Sequence, residues 1–149
     1  MSADGANGGL SIDAGYPGGN ILVEGIDGDV VRLRPALRDT TTWWFYWNFR
    51  VRGAAGRTLT FVFSDKNPIG VRGPAVSLDA GKTWSWMGTE DVEGGTFRYA
   101  FGADCGEARF AFTVPYLEAD LETFLNRHKP GGRIQKGELC TSAKGRSVE

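Results

Sequence analysis

Residues with the chemistry for catalysis or metal binding are few in this chain and are not grouped. The single histidine, His128, is followed three residues later by Gly131, so it forms no His-x-x-Glu pair of the kind that ligates zinc. Cys105 and Cys140 lie far apart and form no Cys-x-x-Cys pair. No Gly-x-Ser-x-Gly stretch or phosphate loop is present, and no spacing singles out a carboxylate pair. The sequence therefore predicts no catalytic, cofactor-binding or metal-binding residue in this chain.

These isolated residues have structural interpretations. We expect His128 to be solvated at the end of a helix, close to Pro130. We expect Cys105 and Cys140 to be free thiols in the core rather than a disulfide, as in a reducing compartment.

One local motif is specific. Residues 77–84 follow the pattern Ser-x-Asp-x-Gly-x-Thr-Trp and resemble the Asp-box hairpin of sialidase-like propellers. In such a turn the aspartate accepts hydrogen bonds from backbone amides, and the glycine adopts a positive φ. A single copy cannot build a propeller of several four-stranded blades. We therefore predict a hairpin that joins residues 75–78 to residues 83–87, and no sialidase activity.

The stretch at residues 43–53 holds three of the five tryptophans. Its alternation with period two predicts the central strand of a sheet, with an inner apolar face made by Phe45, Trp47, Phe49 and Val51. The opposite face carries Trp44, Tyr46, Asn48, Arg50 and Arg52. A face that combines aromatic rings with guanidinium groups suits an interface with a partner. Alternatively, a covering loop or the second layer of the sandwich packs against these aromatic residues. The candidates for an interface or for substrate access are Trp44, Tyr46, Arg50, Arg52 and, nearby in sequence, Arg72.

The elements that must position these side chains are short strands separated by glycine turns. Besides the aromatic stretch, strands are predicted at residues 20–26, 30–34, 58–64, 75–78, 83–87, 96–101 and 108–114. In the last of these, alternation predicts that Phe110, Phe112 and Val114 point inward. After Pro115 the period changes, and an amphipathic helix is predicted near residues 116–127 from the spacing of Leu117, Leu121, Phe124 and Leu125. We expect a mainly β fold, an antiparallel β-sandwich of about eight strands with one appended α-helix.

Composition excludes several classes of function. A formal net charge of −1 argues against nucleic-acid binding, and no apolar run is long enough to cross a membrane. The first residues lack a basic region followed by an apolar stretch, so we expect no signal peptide and a cytoplasmic location.

Three segments follow one another in the chain: Trp-Phe-Tyr-Trp-Asn-Phe-Arg-Val-Arg-Gly at residues 44–53, Leu-Thr-Phe-Val-Phe at 59–63 and Gly-Val-Arg-Gly-Pro-Ala-Val-Ser at 70–77. Their order resembles the N-terminal domain of cytosolic-type zinc carboxypeptidases. The strand-Pro-Tyr-helix passage at residues 110–125 is also similar. Residues 139–148 resemble the family's entry into its catalytic domain. Ile-Gly-Val-Arg-Gly-Pro at residues 69–74 differs from the Asn-x-Gly-Met-Arg-Pro of eukaryotic members, and the Asp-box turn also differs, which points to a bacterial branch.

The small, polar and Gly-rich start of the chain predicts a flexible segment at residues 1–14. The resemblance implies a β-sandwich at 15–132 and a connection at 133–149 into a catalytic domain. The family's zinc ligands and catalytic glutamate lie beyond this stretch, so none is carried over. Zinc is expected in the catalytic domain of the parent protein, which would be the intramolecular partner. The sandwich would support that domain and shape access for peptide or protein C-terminal tails, and Arg50, Arg52 and Arg72 are candidates to attract an acidic tail. The alternative is a stand-alone carbohydrate-binding module whose exposed tryptophans stack on sugars.

Overall fold

The computed structural model describes residues 9–38, 40–128 and 134–148, and the chain divides into two compact units, Met1–Pro115 and Tyr116–Glu149. The predicted boundary between residues 132 and 133 lies outside the described residues, as do the first eight residues of the segment predicted to be flexible.

The first unit contains two five-stranded sheets. The first sheet has the order β1-β4-β10-β6-β7, made of β1 (Ser11–Asp13), β4 (Asn48–Arg52), β10 (Glu107–Ala111), β6 (Ala75–Ser77) and β7 (Ser85–Trp86). The second has the order β2-β3-β5-β9-β8, made of β2 (Leu22–Asp27), β3 (Val30–Arg34), β5 (Thr58–Phe63), β9 (Thr96–Ala100) and β8 (Val92–Glu93). The prediction of a mainly β fold with one helix is therefore confirmed for the described residues.

One strand pair departs from the antiparallel prediction. β3 and β5 run parallel, with Val31 opposite Phe61, whereas the other strand pairs in the two sheets are antiparallel. Between β3 and β5 the chain crosses to the first sheet to form β4 and then returns. A parallel pair needs such a crossover because a tight hairpin can join only antiparallel strands.

Aromatic side chains from both sheets meet in one core. From the first sheet, Phe49 and Phe110 contact Phe61 of the second sheet at ring-centroid distances of 5.3 and 5.4 Å. Phe97 of β9 lies 5.5 Å from Phe110 and 6.1 Å from Trp47, which directly precedes β4. All five of these side chains are fully buried. The inner faces of the two sheets therefore pack against each other as in a β-sandwich.

The aromatic stretch forms a shorter strand than predicted. Trp47, Phe49 and Val51 are buried as expected, but β4 begins only at Asn48, because the pairing starts at an isolated bridge between Asn20 and Asn48. The prediction was wrong for Phe45, which precedes the strand and is 41% exposed. It was also wrong in making this strand central, since β4 is the second of five.

Two further differences affect the ends of elements. β1 was not predicted and lies within the segment expected to be flexible, where it pairs with β4. β10 ends at Ala111, so Val114, predicted to point inward, is exposed.

The second unit contains α1 (Glu118–His128) and a small hairpin of β11 (Cys140–Thr141) and β12 (Ser147–Val148). The predicted helix is confirmed, with its acidic first turn and with His128 exposed at its end. None of its residues is buried, and the apolar side chains Leu121 and Phe124 are exposed. No helix among the described residues combines the length and apolar character that crossing a membrane requires.

Both cysteines are free thiols, as predicted. Their expected core location was wrong for Cys140, which is exposed in β11, whereas Cys105 is half-buried. Both residues of β11 are exposed, so the thiol of Cys140 is accessible.

We expect Phe110→Ala to lower the free energy of unfolding by about 3–5 kcal/mol, because it removes a buried ring that contacts both sheets. Chemical denaturation of the variant measures this loss. The control Leu78→Ala, at a side chain 60% exposed, should change stability by no more than about 0.5 kcal/mol. Equal losses in the two variants would contradict a core shared by the two sheets.

Candidate functional site

The described residues contain no group of three or more His, Cys, Asp or Glu side chains that could hold a metal ion. Zinc therefore does not fit this part of the chain. The five residues predicted as candidates for an interface or for substrate access lie in three separate places on the surface of the first unit.

The outer face of the first sheet carries a network of charges. The strand register aligns Asp13, Arg50 and Arg109 across β1, β4 and β10. Arg50 donates two hydrogen bonds to the carboxylate of Asp13, from Nη2 to Oδ1 at 2.8 Å and from Nε to Oδ2 at 3.1 Å. Such a forked pair fixes both side chains in one orientation.

Glu107 completes this network from the neighbouring row of the sheet. Its Oε1 accepts a hydrogen bond from Arg109 Nε at 2.8 Å, and its Oε2 accepts one from Arg52 Nε at 3.0 Å. Arg50 Nη1 lies 3.9 Å from the same Oε2. One carboxylate thus faces three guanidinium groups, and the charges of Arg50 and Arg52 are largely balanced within the sheet.

A loop covers part of this charged face. The ring of Tyr16 lies beneath two guanidinium groups, with Arg109 Cζ at 4.4 Å and Arg50 Cζ at 5.2 Å from its centroid. Its hydroxyl donates a hydrogen bond to Asn48 Oδ1 at 2.7 Å, which explains why Asn48 is buried on the outer face. Burial raises the pKa of Tyr16 well above its ordinary value, so the hydroxyl remains a donor. The predicted alternative of a covering loop therefore applies to this part of the face.

Tyr46 belongs to the same covering arrangement. Its hydroxyl donates to Gly18 O at 2.7 Å, and its own carbonyl accepts from Asn20 Nδ2 at 2.8 Å. Arg38 holds the other side of Asn20, donating from Nε to Oδ1 at 2.9 Å and from Nη2 to Gly19 O. Tyr46 thus fastens the loop to the start of β4.

Trp44 lies apart from the charged network. It is half-buried and stacks on Phe45, with centroids 5.5 Å apart and planes inclined by 27°. It also lines a shallow pocket whose other walls are Arg34, Pro35, Leu37, Trp43, Asp65 and Lys66.

Arg72 occupies a third place, on the loop that precedes β6. Its guanidinium carbon lies 5.6 Å from the ring centroid of Trp86 in β7, a cation–π contact. Both side chains are exposed.

Sequence reasoning missed the exposed aromatic group beside Trp44. Trp43 and Phe45 have centroids 6.2 Å apart, and Phe45 meets Phe112 edge-on at 5.0 Å. Strict alternation placed both Phe45 and Phe112 in the core: Phe45 is exposed, whereas Phe112 is half-buried and packs against the core. No local sequence feature shows where β4 starts or β10 ends, since that depends on pairing with Asn20 and with Trp47.

The Asp-box turn forms as its sequence predicts. Asp79 Oδ1 accepts hydrogen bonds from Ser77 Oγ at 2.8 Å and from the backbone N of Thr83 at 2.9 Å, while Oδ2 accepts one from Thr83 Oγ1 at 2.6 Å. Gly81 has φ of +90°, and Trp84 Nε1 donates to its carbonyl at 3.0 Å. The hydrogen bonds from Thr83 and Ser77 hold the pKa of Asp79 well below its usual range. All of these contacts are internal to the turn, which supports a structural role.

The chain belongs to the family of cytosolic carboxypeptidase N-terminal domains, whose family model matches residues 12–113. Among solved structures, it is similar to a metallo-carboxypeptidase from Burkholderia cenocepacia, with a TM-score of 0.74 and 22% identity over 93% of this chain and 38% of that one. It is also similar to a metallo-carboxypeptidase from Pseudomonas aeruginosa in complex with (2-guanidinoethylmercapto)succinic acid, with a TM-score of 0.70 and 22% identity over 93% and 38% of the two chains. A comparison with curated proteins gave no match. The chain thus spans well under half the length of these solved relatives.

The carboxyl groups of the charged network predict a dependence of stability on pH. Burial alone would raise the pKa of Glu107, but hydrogen bonds from Arg109 and Arg52 outweigh it and place the pKa below its usual range. At Asp13 burial is likewise outweighed, by the hydrogen bond and charge of Arg50, and the pKa is lowered. A carboxyl whose pKa is lower in the folded state stabilises the fold above its unfolded pKa. That stability disappears as the pH falls through the folded value.

We therefore expect the free energy of unfolding to fall on acidification below about pH 4.5, with Glu107→Gln flattening this loss. At pH 7 the variant should be less stable by about 1 kcal/mol, because the pairs are partly exposed to solvent. Urea denaturation at several pH values measures both effects, with Glu90→Gln at an exposed loop position as control. An unchanged pH profile in Glu107→Gln would exclude the proposed role of this carboxylate.

The Asp-box turn generates a local prediction. Asp79→Ala removes the acceptor for the amides of Lys82 and Thr83, so their hydrogen exchange should accelerate by about tenfold or more. Lys82→Ala is the matched control, since it keeps the backbone amide and every contact of Asp79. Similar exchange in the two variants would show that the carboxylate does not hold the turn.

Proposed function

We propose that this chain is the non-catalytic N-terminal β-sandwich of a zinc metallocarboxypeptidase. It would support the catalytic domain and shape the access of peptide C-terminal tails to it. The observation that carries this proposal is the family match over residues 12–113, together with solved carboxypeptidase relatives of which this chain covers 38%. The zinc of such an enzyme would belong to the catalytic domain, because the described residues here offer no metal site. Membership of a family described as cytosolic favours a cytoplasmic location.

The five residues predicted as candidates for an interface or for substrate access have different roles in this proposal. Arg50 and Arg52 are held by Asp13 and Glu107, so their role is to fix the sheet face rather than to receive a carboxylate. Tyr46 fastens the covering loop. Trp44 and Arg72 are the two that remain available to a partner, and the guanidinium of Arg72 suits the carboxylate of a C-terminal tail.

No observation favours the carbohydrate-binding alternative. One ring face of Trp44 is already stacked on Phe45, and the Asp-box contacts are internal to the turn.

We expect the purified 149-residue chain to bind no stoichiometric zinc and to release no C-terminal residue from peptides. The full product of its reading frame should do both. Metal analysis and an amino-acid release assay on the two proteins measure this difference. Zinc bound tightly by the 149-residue chain, with peptidase activity, would contradict the proposal, and so would a reading frame that encodes no His-x-x-Glu pair downstream.

A further inference from the structure

Three exposed aromatic residues of the first unit, Trp43, Phe45 and Trp86, belong to one surface that also includes the half-buried ring of Phe112. Trp43 and Phe45 are 43% and 41% exposed, and their ring centroids lie 6.2 Å apart. Phe45 contacts Phe112 edge-on at 5.0 Å. The first part of this surface thus joins the residues before β4 to the residue after β10.

The surface continues along the loop before β6. A ring carbon of Phe112 lies 3.5 Å from the position that a Cβ on Gly70 would occupy, so the loop passes directly against this ring. The next residue, Val71, is 95% exposed, and Arg72 lies over Trp86. We call this surface the aromatic strip, formed by Trp43, Phe45, Phe112, Val71, Arg72 and Trp86.

The backbone beneath the strip is fixed. Gly73 has φ of +69°, and a Cβ there would come within 1.8 Å of Gly88 O, so only glycine fits this close approach. Pro74 O accepts a hydrogen bond from Met87 N at 2.9 Å, tying the loop to the chain that follows β7. Val71 and Arg72 are therefore presented outward by a constrained loop.

Contiguous exposed apolar surface on a folded unit marks an interaction site, and aromatic residues and arginine are enriched at the centres of interfaces. The solved relatives indicate what could cover the strip, since about three-fifths of each lies outside the part that this chain matches. The strip also contains Phe112, three residues before the first unit ends at Pro115. The chain therefore leaves the first unit only three residues after a member of the strip.

We propose that the aromatic strip is the surface on which the catalytic part of the longer carboxypeptidase packs, with a carboxylate of that part facing Arg72. This inference rests on the proposed function and adds the location of the interface. The charged network on β1, β4 and β10 is satisfied internally and is not part of it.

Hydroxyl-radical footprinting tests the location directly. The 149-residue chain and the full product of its reading frame are labelled in parallel, and the modification rate of each residue is measured by mass spectrometry. We expect the modification rates at Trp43, Phe45 and Trp86 to fall in the longer protein to about one fifth of their values in the 149-residue chain, or lower. Leu22, which is 40% exposed on the second sheet, is the matched control and should keep its rate.

A pair of variants adds an independent measurement. Phe45→Ser and Leu22→Ser replace equally exposed side chains, and the melting temperature of each variant is first measured in the 149-residue chain, where Phe45→Ser also removes ring contacts with Trp44 and Phe112. In the longer protein, only Phe45→Ser should lower the melting temperature by more than it does in the 149-residue chain.

The outcomes separate this inference from the proposed function. Unchanged labelling of the strip in a longer protein that binds zinc and cleaves peptides would overturn the inference alone. Protection that appears in the 149-residue chain as its concentration rises would identify a second copy as the occupant and would also overturn it. A reading frame without a carboxypeptidase domain would overturn the proposed function and the inference together.

Discussion

The structure depends on the contact between aromatic rings of two sheets. Phe49 and Phe110 on one side, and Phe61 and Phe97 on the other, are fully buried and make three ring contacts across the interface, with centroids 5.3–5.5 Å apart. Burial of large aromatic side chains is the dominant stabilising contribution available to a unit of this size, and their offset geometry adds specificity. The inner face of each sheet packs on the other sheet, so each requires the other.

The outer face of the first sheet is a consequence of that packing. Side chains alternate between the two faces of a strand, so burial of every second residue of β4 and β10 places the remaining residues on the opposite face. These residues include Arg50, Arg52, Glu107 and Arg109. They are compatible there because Glu107 and Asp13 supply carboxylates at hydrogen-bond distance and Tyr16 covers two guanidinium groups. A face that looks from composition like a cationic binding site is therefore a self-contained network. The surface available to a partner lies instead where the strands end.

The sequence predicted the features that depend on local periodicity and turn chemistry. β3 occupies the predicted residues 30–34, the helix lies within one or two residues of its predicted ends, and the Asp-box turn has the expected acceptor and glycine. Features that depend on distant pairing could not be predicted in this way. The parallel pairing of β3 with β5, the short β1 and the late start of β4 are each determined by residues remote in sequence. For the same reason Arg50 and Arg52 were identified as surface residues, whereas their partners Asp13 and Glu107 were not, and the exposed position of Phe45 was missed.

The claim that both sheets share one core is tested most directly by native-state hydrogen exchange of the 149-residue chain in increasing denaturant. Amides of β4 and β10 on one sheet, and of β5 and β9 on the other, should lose protection together in a single global opening. Loss of protection in one sheet at a lower denaturant concentration, while the other sheet stays protected, would contradict the account.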